Sequence, residues 1–215
     1  MSGGKDVKEI TRDDLGLIER LNQFSVPELC DGAGIYRAMD YRIKPRVTKA
    51  RITGRAFTVS VPDGEGGIIA DAVEQVNAGD VLVIEGHGNC GCAYWGDHRS
   101  LCAKMRGAAG VVIDGAFRDL EGCEEVGFPV FAKGLTCGTA DKAGTGKIGV
   151  PVSCGGVVVQ PGDLIAADVN GVCVIRPEEA EWIMERAEKK REAQKRAVEE
   201  MKRTGEVKAR IKVDW

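Results

Sequence analysis

Apolar positions near the start of the chain follow a helical spacing. Between residues 11 and 23, Leu15, Ile18 and Leu21 recur every three to four residues, as they do on the buried face of a helix. Thr11 stands where an N-capping side chain is preferred. The pattern therefore predicts a helix over residues 11–23.

A second, short helix is predicted immediately afterwards. Ser25 and Glu28 have the spacing of a capping box, and Pro27 suits the first turn of a helix. The glycines within residues 32–34 are expected to end it.

From residue 50 onward, short apolar runs are separated by glycine-rich turns, which is typical of strands. The predicted strands are 51–61, 81–85, 111–114, 128–131, 150–152, 157–159, 163–167 and 172–175. The predicted helices between them are 67–77, 97–106 and 120–126. Helices and strands thus alternate through the middle of the chain, and strands dominate its second half.

The segment 177–215 has a different pattern. Apolar residues recur at a spacing of three to four in a strongly charged sequence that contains 10 acidic and 11 basic residues. This predicts a long helix whose thin apolar stripe packs on the body or on a neighbouring subunit. The chain is accordingly divided into a domain at 1–176 and a helical extension at 177–215.

Composition and charge exclude several classes of protein. The 215 residues fit one domain of ordinary size, and a net charge of −3 gives no overall attraction for nucleic acid or anionic membranes. The start is polar, without the apolar run of a signal peptide, and no segment has the length of a membrane span. A cytoplasmic location is therefore expected, with the eight cysteines mostly reduced. Cys90 and Cys92 form a close pair, but without a second pair they are interpreted as ordinary thiols rather than a zinc site.

A glycine motif follows the strand at 81–85. Residues 86–91 have the G-x-G-x-x-G spacing of a dinucleotide-binding loop, and Asp114 lies on the next apolar strand. In that fold, however, the glycines open directly into a helix, whereas here a helix can begin only near Asp97. The motif is interpreted as coincidental, and the glycines as a flexible loop bordering a site. His87 in this loop is either a proton relay or an ordinary surface histidine.

Polar residues at two other junctions are better placed for chemistry. The junction Gly96-Asp97-His98-Arg99 begins a predicted helix, where unpaired N–H groups can bind a carboxylate. Arg118-Asp119 follows the strand at 111–114. Arg118 can clamp a carboxylate or stabilise an enolate oxygen, and Asp97 and Asp119 can hold a hard divalent cation. From spacing alone, a surface Arg-Asp pair with an N-capping aspartate is an equal alternative.

Longer stretches of the chain resemble a known family. The sequence GDHRSLCAKMRGAAGVVIDGAFRDLEGCEEVGFPVFAKG, residues 96–134, resembles the RraA-like family, which includes 4-hydroxy-4-methyl-2-oxoglutarate/4-carboxy-4-hydroxy-2-oxoadipate aldolases. Further matches are SVPELCDGAG, AGDVLVIEG and VVVQPGDLIAADVNGVCVI, so the resemblance covers most of residues 20–180. These aldolases are recognised by an aspartate, twenty intervening residues and then Arg-Asp, and Asp97 with Arg118-Asp119 reproduces that spacing.

The resemblance implies a fold, an assembly and a reaction. It implies an α/β architecture, a single β/β/α swivelling-domain-like fold, here with a long charged C-terminal helix. It also implies a homotrimer or homohexamer, with active sites between neighbouring subunits. The implied reaction is a class II, divalent-metal-dependent aldol cleavage of a small 4-hydroxy-2-oxo acid that releases pyruvate. Because loss of CO₂ from oxaloacetate leaves the same enolate, oxaloacetate decarboxylation is expected as well.

The resemblance also implies roles for individual residues. Asp119 would hold Mg²⁺ or Mn²⁺, and Asp97 would support it through water. Arg118 would bind the oxygens of pyruvate and stabilise the enolate, and the N–H groups of His98 and Arg99, next to Gly96, would take the substrate carboxylate. 

The chain departs from the family at one place, and one role stays open. The residues after the aspartate are usually apolar, so His98 and Arg99 are expected to add charge at the mouth of the site, and the substrate can differ accordingly. A glutamate from the C-terminal part of a neighbouring subunit contributes in the family; Glu192, Glu199 and Glu200 are equal candidates.

Two other functions follow from the same resemblance. Some family members are regulators that inhibit ribonuclease E by binding it, without catalysis. Methyl transfer to a quinone has also been attached to the family; it would need an S-adenosylmethionine pocket, for which the glycines at 86–91 are the weak candidate. The intact set of Asp97 and Arg118-Asp119 favours the metal-dependent enzyme, because a binding module does not need the spacing of a metal site.

Overall fold

The computed structural model describes residues 12–34 and 37–215. Its helices are α1 (Arg12–Leu21), α2 (Val26–Ala33), α3 (Ile68–Gln75), α4 (Asp97–Met105), α5 (Leu120–Val126) and α6 (Ala180–Thr204). Its strands are β1 (Lys44–Pro45), β2 (Ile52–Ser60), β3 (Val81–Trp95), β4 (Gly110–Phe117), β5 (Val130–Leu135), β6 (Lys147–Ile148), β7 (Val152–Cys154), β8 (Val157–Val159), β9 (Leu164–Asp168) and β10 (Gly171–Ile175).

Most of the predicted elements are present with small shifts of their ends. The predicted α5 at 120–126 has the bounds of the observed helix, and α4 ends one residue earlier than predicted. The capping box that predicts α2 is confirmed: the Ser25 side chain accepts from the backbone of Glu28, and the Glu28 carboxylate accepts from the backbone of Ser25. The predicted N-cap of α1, Thr11, lies outside the described residues.

The strands form a mixed sheet in the order β1-β5-β4-β3-β2-β9-β10. Strands β2, β3, β4 and β5 run parallel, while β1, β9 and β10 are each antiparallel to a neighbour. The two ends of the sheet approach each other, because Ala38 bridges to Cys173 on β10 and the Lys44 amine on β1 donates to the carbonyl of Asn170. The result is a nearly closed, barrel-like sheet, which confirms the predicted α/β class.

The apolar side chains separate into three clusters around this sheet. One lies between the outer face of the parallel strands and helices α3, α4 and α5. A second fills the inside of the curved sheet, together with the β7–β8 hairpin. The third joins α1, α2 and α6 to β9 and β10, so that the charged C-terminal helix buries its thin apolar stripe on its own chain.

One local prediction is wrong. Residues 86–91 do not form a flexible loop but continue β3, which runs from Val81 to Trp95. The extension pairs with β4 through Asn89 and Gly115 after an irregularity in the register, and His87 adopts a φ of 55° there. The glycines therefore lie inside a bulged strand and not at the start of a helix, which begins at Asp97 as predicted.

The parallel strands place four connecting segments at one edge of the sheet. Parallel strands end on the same side, and the residues that follow β2, β3, β4 and β5 therefore meet there. Trp95, the last residue of β3, is the register partner of Phe117, the last residue of β4. The helices α4 and α5 thus begin side by side. Within the described residues, no helix is long and apolar enough to cross a membrane.

Candidate active site

A pocket of about 500 Å³ lies at the carboxyl ends of the parallel strands. The start of α3, the end of β3, the first turn of α4, the end of β4 and the segment 139–144 form its walls. Crevices at this edge of a parallel sheet are the usual ligand sites of α/β proteins. The pocket brings together all of the candidate site residues, which are Gly96, Asp97, His98, Arg99, Arg118 and Asp119.

The turn between β4 and α5 holds Arg118 and Asp119 in a constrained conformation. Asp119 has φ 57° and ψ 49°, a left-handed conformation that residues other than glycine adopt at a cost. The Arg118 N–H donates to the carbonyl of Trp95 at 3.0 Å, and the Cys123 N–H donates to the carbonyl of Asp119 at 2.9 Å. These bonds from both sides fix the turn and aim the Asp119 carboxylate into the pocket.

The two side chains of this turn form an ion pair that remains accessible. Arg118 Nε lies 3.1 Å from Asp119 Oδ2, and each side chain is 42% exposed. A Cβ atom at Gly96 would lie 2.7 Å from the same Asp119 oxygen, closer than such contacts occur. Gly96 is therefore required for the Asp119 carboxylate to sit where it does.

A second glycine plays the same part for Asp97. A Cβ atom at Gly122, on α5, would lie 2.7 Å from Asp97 Oδ2 and 2.8 Å from its Cβ. The carboxylate of Asp97 thus rests on α5, while that of Asp119 rests on Gly96, next to Asp97. The two acids that the sequence separates by twenty-one residues consequently face the same space.

The first turn of α4 has one N–H group already bonded. The His98 N–H donates to Asp97 Oδ1 at 2.6 Å, so a substrate carboxylate bound there would replace the Asp97 oxygen. The His98 side chain is exposed at the mouth, with its Nε2 3.8 Å from the sulfur of Cys102. Its imidazole therefore lies at the mouth of the pocket.

Arg99 behaves differently from the expectation that it adds charge at the mouth. Its guanidinium is half-buried and is tied to two backbone carbonyls, that of Tyr94 and, at 2.7 Å, that of Gly66. Burial and the charge of Arg118 both lower the pKa of Arg99. The Arg99 side chain is thus part of the pocket wall, because its guanidinium donates to a carbonyl at the end of β3 and to one in the segment between β2 and α3.

Several lining residues carry no signal in the sequence. Asp71 lies on α3, and Thr139, Asp141 and Lys142 lie on the segment that follows β5. Neither segment has a motif or a periodicity that points to a site; they reach the pocket because they follow β2 and β5, which end at the same edge of the sheet. 

The remaining candidates lie outside the pocket. His87 Nε2 is 2.7 Å from the carbonyl of Val61, on the exposed side of the bulged strand. On α6, Glu192 lies 3.6 Å from Arg196, Glu200 pairs with Lys208 at 2.6 Å, and Glu199 lines a groove between α2 and α6. None of these three glutamates, all among the described residues, lines the pocket of its own chain.

The carboxylates fit part of a hard-cation site. Asp97 and Asp119 offer the oxygen ligands that Mg²⁺ and Mn²⁺ prefer. Within residues 12–34 and 37–215, no group of three or more His, Cys, Asp or Glu side chains is placed to hold a metal. A cation at this pocket would therefore take its further ligands from water, substrate or another subunit.

Fold and pocket together define a class of protein. It is an α/β protein with a nearly closed sheet, whose parallel strand ends present two carboxylates and an arginine to one polar pocket. The model of the RraA-like family, described as Aldolase/RraA, matches residues 26–174. The chain belongs to this family.

Individual relatives agree with this assignment. A protein from Halalkalibacterium halodurans that bears the name "Putative 4-hydroxy-4-methyl-2-oxoglutarate aldolase" is 38% identical over 187 residues, which are 84% of this chain and 89% of that protein. The structure of an uncharacterized protein from Pseudomonas syringae pv. tomato matches with a TM-score of 0.77 at 27% identity, covering 90% of this chain and 94% of the other. That of Streptomyces coelicolor RraAS2, described as an unusual member of the RNase ES inhibitor RraA protein family, matches with a TM-score of 0.75 at 30% identity, covering 86% and 98%.

Proposed function

We propose that the protein is a divalent-metal-dependent class II aldolase that cleaves 4-hydroxy-2-oxo acids of the 4-hydroxy-4-methyl-2-oxoglutarate type to pyruvate, and that it decarboxylates oxaloacetate. The observation that carries this proposal is that Asp97, Arg118 and Asp119 lie in one pocket. The Asp97 carboxylate packs against Gly122 and the Asp119 carboxylate against Gly96. The names of the aldolase relatives support the same reaction class.

Asp119 and Asp97 would hold the cation, Mg²⁺ or Mn²⁺. When bound, such a cation supplies positive charge to the oxygens of a 2-oxo acid, which stabilises the carbanion left by cleavage of the neighbouring carbon–carbon bond. The fixed turn at Asp119 and the glycine under its carboxylate keep this ligand in place before substrate arrives.

Arg118 would bind the carboxylate and the developing enolate oxygen of the pyruvyl part. Its ion pair with Asp119 orients the guanidinium, so its charge is preorganised and costs no rearrangement during the reaction. The backbone at Gly96, His98 and Arg99 would hold a substrate carboxylate at the N-terminus of α4, where the N–H groups and the helix dipole favour an anion.

A lysine in the pocket provides the natural alternative mechanism. Lys142 lines the pocket and could in principle form a Schiff base with a 2-oxo acid. It is exposed, however, whereas Schiff-base lysines are desolvated or lie beside another cation. The metal route is therefore the one that we propose.

The experiment is pyruvate release, coupled to lactate dehydrogenase, from oxaloacetate and from 4-hydroxy-4-methyl-2-oxoglutarate. Turnover is expected with Mg²⁺ or Mn²⁺, and is expected to fall to background with EDTA and in Asp119→Asn. Turnover that persists in EDTA, together with covalent trapping of Lys142 by borohydride, would replace the metal route by the Schiff-base route. The ratio of the two rates decides between aldolase and decarboxylase as the main activity.

A second candidate function is a regulator that binds ribonuclease E, because the structural relatives include proteins described as RraA inhibitors. One comparison, of ribonuclease binding with turnover, distinguishes the regulator from the aldolase. A pull-down of an RNA-degradation complex that Asp119→Asn leaves unchanged, combined with no turnover of either 2-oxo acid, would favour the regulator.

We also propose that the active enzyme is a homotrimer or homohexamer, since two carboxylates of one chain do not complete a cation site by themselves. A neighbouring subunit would supply a glutamate from α6. Light scattering on the active protein tests this; a fully active monomer of about 23 kDa would contradict it.

A further inference from the structure

One wall of the pocket is a segment without secondary structure of its own. Residues 139–144 are largely exposed, yet they border the pocket directly. The segment is joined to the residues after β2 by two backbone bonds, from the Gly66 N–H to the Asp141 carbonyl at 2.9 Å and from the Asp141 N–H to the Gly64 carbonyl at 2.7 Å. Its position therefore depends on residues 64–67.

A buried carboxylate completes the contact between residues 64–67 and residues 139–144, which we call the joint. Glu65 is only 5% exposed, and its two oxygens accept three backbone N–H groups: Gly67 at 2.5 Å and Gly144 at 3.0 Å on Oε1, and Ala143 at 3.0 Å on Oε2. Burial acts to raise the pKa of Glu65, but these backbone hydrogen bonds outweigh it and lower the pKa. The carboxylate thus stays ionised and binds both sides of the joint.

Close packing at a glycine supports the same contact. A Cβ atom at Gly67 would lie 2.5 Å from the Gly144 nitrogen and 2.8 Å from Glu65 Oε1. Gly144 can therefore approach the start of α3 only because residue 67 has no side chain.

The joint is also connected to the acidic side of the pocket. Arg99, in the first turn of α4, donates to the carbonyl of Gly66 at 2.7 Å. The chain of contacts runs from α4, which carries Asp97, through Gly66 and Glu65 to the segment that carries Lys142. Two walls of the pocket, α4 and the segment 139–144, are thus both bonded to residues 64–67.

We propose that Glu65 is a positioning residue, which holds the segment 139–144 against the start of α3 and so sets the width of the pocket opposite Asp97 and Arg118. Glu65 acts through the backbone and does not itself line the pocket. The consequence for turnover rests on the proposed function: loosening the wall should weaken substrate binding more than the chemical step, because Asp97, Arg118 and Asp119 lie on other elements.

Two variants break the joint in different ways. Glu65→Gln keeps the size of the side chain, but its NH₂ group can only donate, so at least one of the three N–H groups loses its acceptor. Gly67→Ala keeps Glu65 itself but adds a Cβ that pushes both Gly144 and Glu65 Oε1 away. Matched controls are Glu85→Gln, whose carboxylate accepts the Ser153 N–H at 2.9 Å away from the pocket, and Gly16→Ala, where a Cβ meets nothing within 4 Å.

The first readout needs no substrate. Lys142 is exposed, but trypsin must draw the backbone around it into an extended form, which requires the bonds of Asp141, Ala143 and Gly144 to residues 64–66 to open. Mass spectrometry measures the rate of that cut in the native protein. Cleavage is expected to be about 10-fold faster in Glu65→Gln and Gly67→Ala, the scale of losing one hydrogen bond to a charged group, and unchanged in both controls. Wild-type cleavage rates in both folded variants would overturn the proposal, whether or not the protein turns over a 2-oxo acid.

The second readout is the split between KM and kcat for pyruvate release. KM is expected to rise about 10-fold in the two variants while kcat stays within about 3-fold of the wild type. A fall in kcat at unchanged KM would contradict positioning of the wall. If Glu65→Gln does not fold, Gly67→Ala gives both readouts alone.

Discussion

Strand β4 carries two ionic clusters that have similar side chains and different surroundings. In its middle, Asp114 pairs with Lys133 inside the curved sheet, and Lys133 Nζ also lies 3.3 Å from Asp40 Oδ2. At its end, Arg118 pairs with Asp119 in the pocket. The side chains of Asp114 and Lys133 are each 9% exposed, whereas those of Arg118 and Asp119 are each 42% exposed.

The difference shows how one strand supports both structure and chemistry. The buried cluster is paired on several sides: Lys133 lies beside both aspartates, the second oxygen of Asp114 accepts the Gly155 N–H at 2.9 Å, and the charges of Asp114 and Asp40 outweigh burial and raise the pKa of Lys133. The cluster at the strand end has open sides and a strained backbone at Asp119. Buried, paired charges depend on each other for stability, while accessible charges held in a strained turn can bind a ligand.

The largest effect on stability is expected at the buried cluster. Lys133→Met leaves Asp114 buried without its cation, which should lower the free energy of unfolding by about 3 kcal/mol or more. Urea denaturation measures this. The matched change Arg118→Met should alter it by less than about 0.5 kcal/mol, because the pair is half exposed. Equal losses in the two variants would remove the distinction between the clusters.

The largest effect on turnover is expected at the pocket cluster of Arg118 and Asp119. Arg118→Ala should lower kcat/KM for pyruvate release by at least ~10²-fold, the scale of removing a preorganised charge from the transition state. Arg42→Ala is the control, since Arg42 belongs to the buried cluster through Asp40 and is itself exposed. Near-wild-type turnover in Arg118→Ala would refute the assignment of the site.

An ion pair of intermediate exposure should contribute an intermediate, pH-dependent amount to the free energy of unfolding. Glu28 on α2 pairs with Arg191 on α6 at 2.8 Å, and the two side chains are 28% and 34% exposed. Hydrogen bonds from Arg191 lower the pKa of Glu28 to about 2 against burial, and the Ser25 backbone adds to this. A carboxyl group whose pKa is lowered in the folded protein stabilises the fold at pH values above its ordinary pKa. This contribution is lost as the pH falls toward 2.

Glu28→Gln should therefore be about 1 kcal/mol less stable than the wild type at pH 7, with a difference that shrinks from pH 5 to about pH 2. Denaturation curves across that range measure it. A difference that is constant with pH would show that packing, and not charge, joins α2 to α6 here.

The smallest expected effect is a gain in stability at the strained turn. Asp119→Gly relieves the left-handed backbone conformation, which should raise the free energy of unfolding by roughly 0.5 kcal/mol while abolishing turnover. Thermal unfolding measures the gain, with Asp119→Asn as the control that keeps a side chain. A loss of stability in Asp119→Gly would mean that the ion pair with Arg118 outweighs the strain.

Local signals made most of the helices predictable. The Ser25–Glu28 capping box and the apolar spacing of α1 depend on residues within a few positions of each other. Asp97 and Arg118-Asp119 were found as candidates from local positions too, since Asp97 begins a predicted helix and Arg118-Asp119 follows a predicted strand. The path of residues 86–91 was missed, because only pairing with β4 keeps that stretch in the sheet.

The amino-acid sequence by itself thus determined the ends of most elements and the candidate acids and arginine, because periodicity, capping and strand-end position are local properties. The family and the α/β class came from longer stretches that resemble the RraA-like family. Only the tertiary structure decided which side chains share the pocket. Glu65 binds N–H groups nearly eighty positions along the chain, and the Arg99 guanidinium turns from the mouth into the wall to reach Gly66. Such contacts arise when the sheet curves and its connecting segments meet, and no spacing along the chain encodes that meeting.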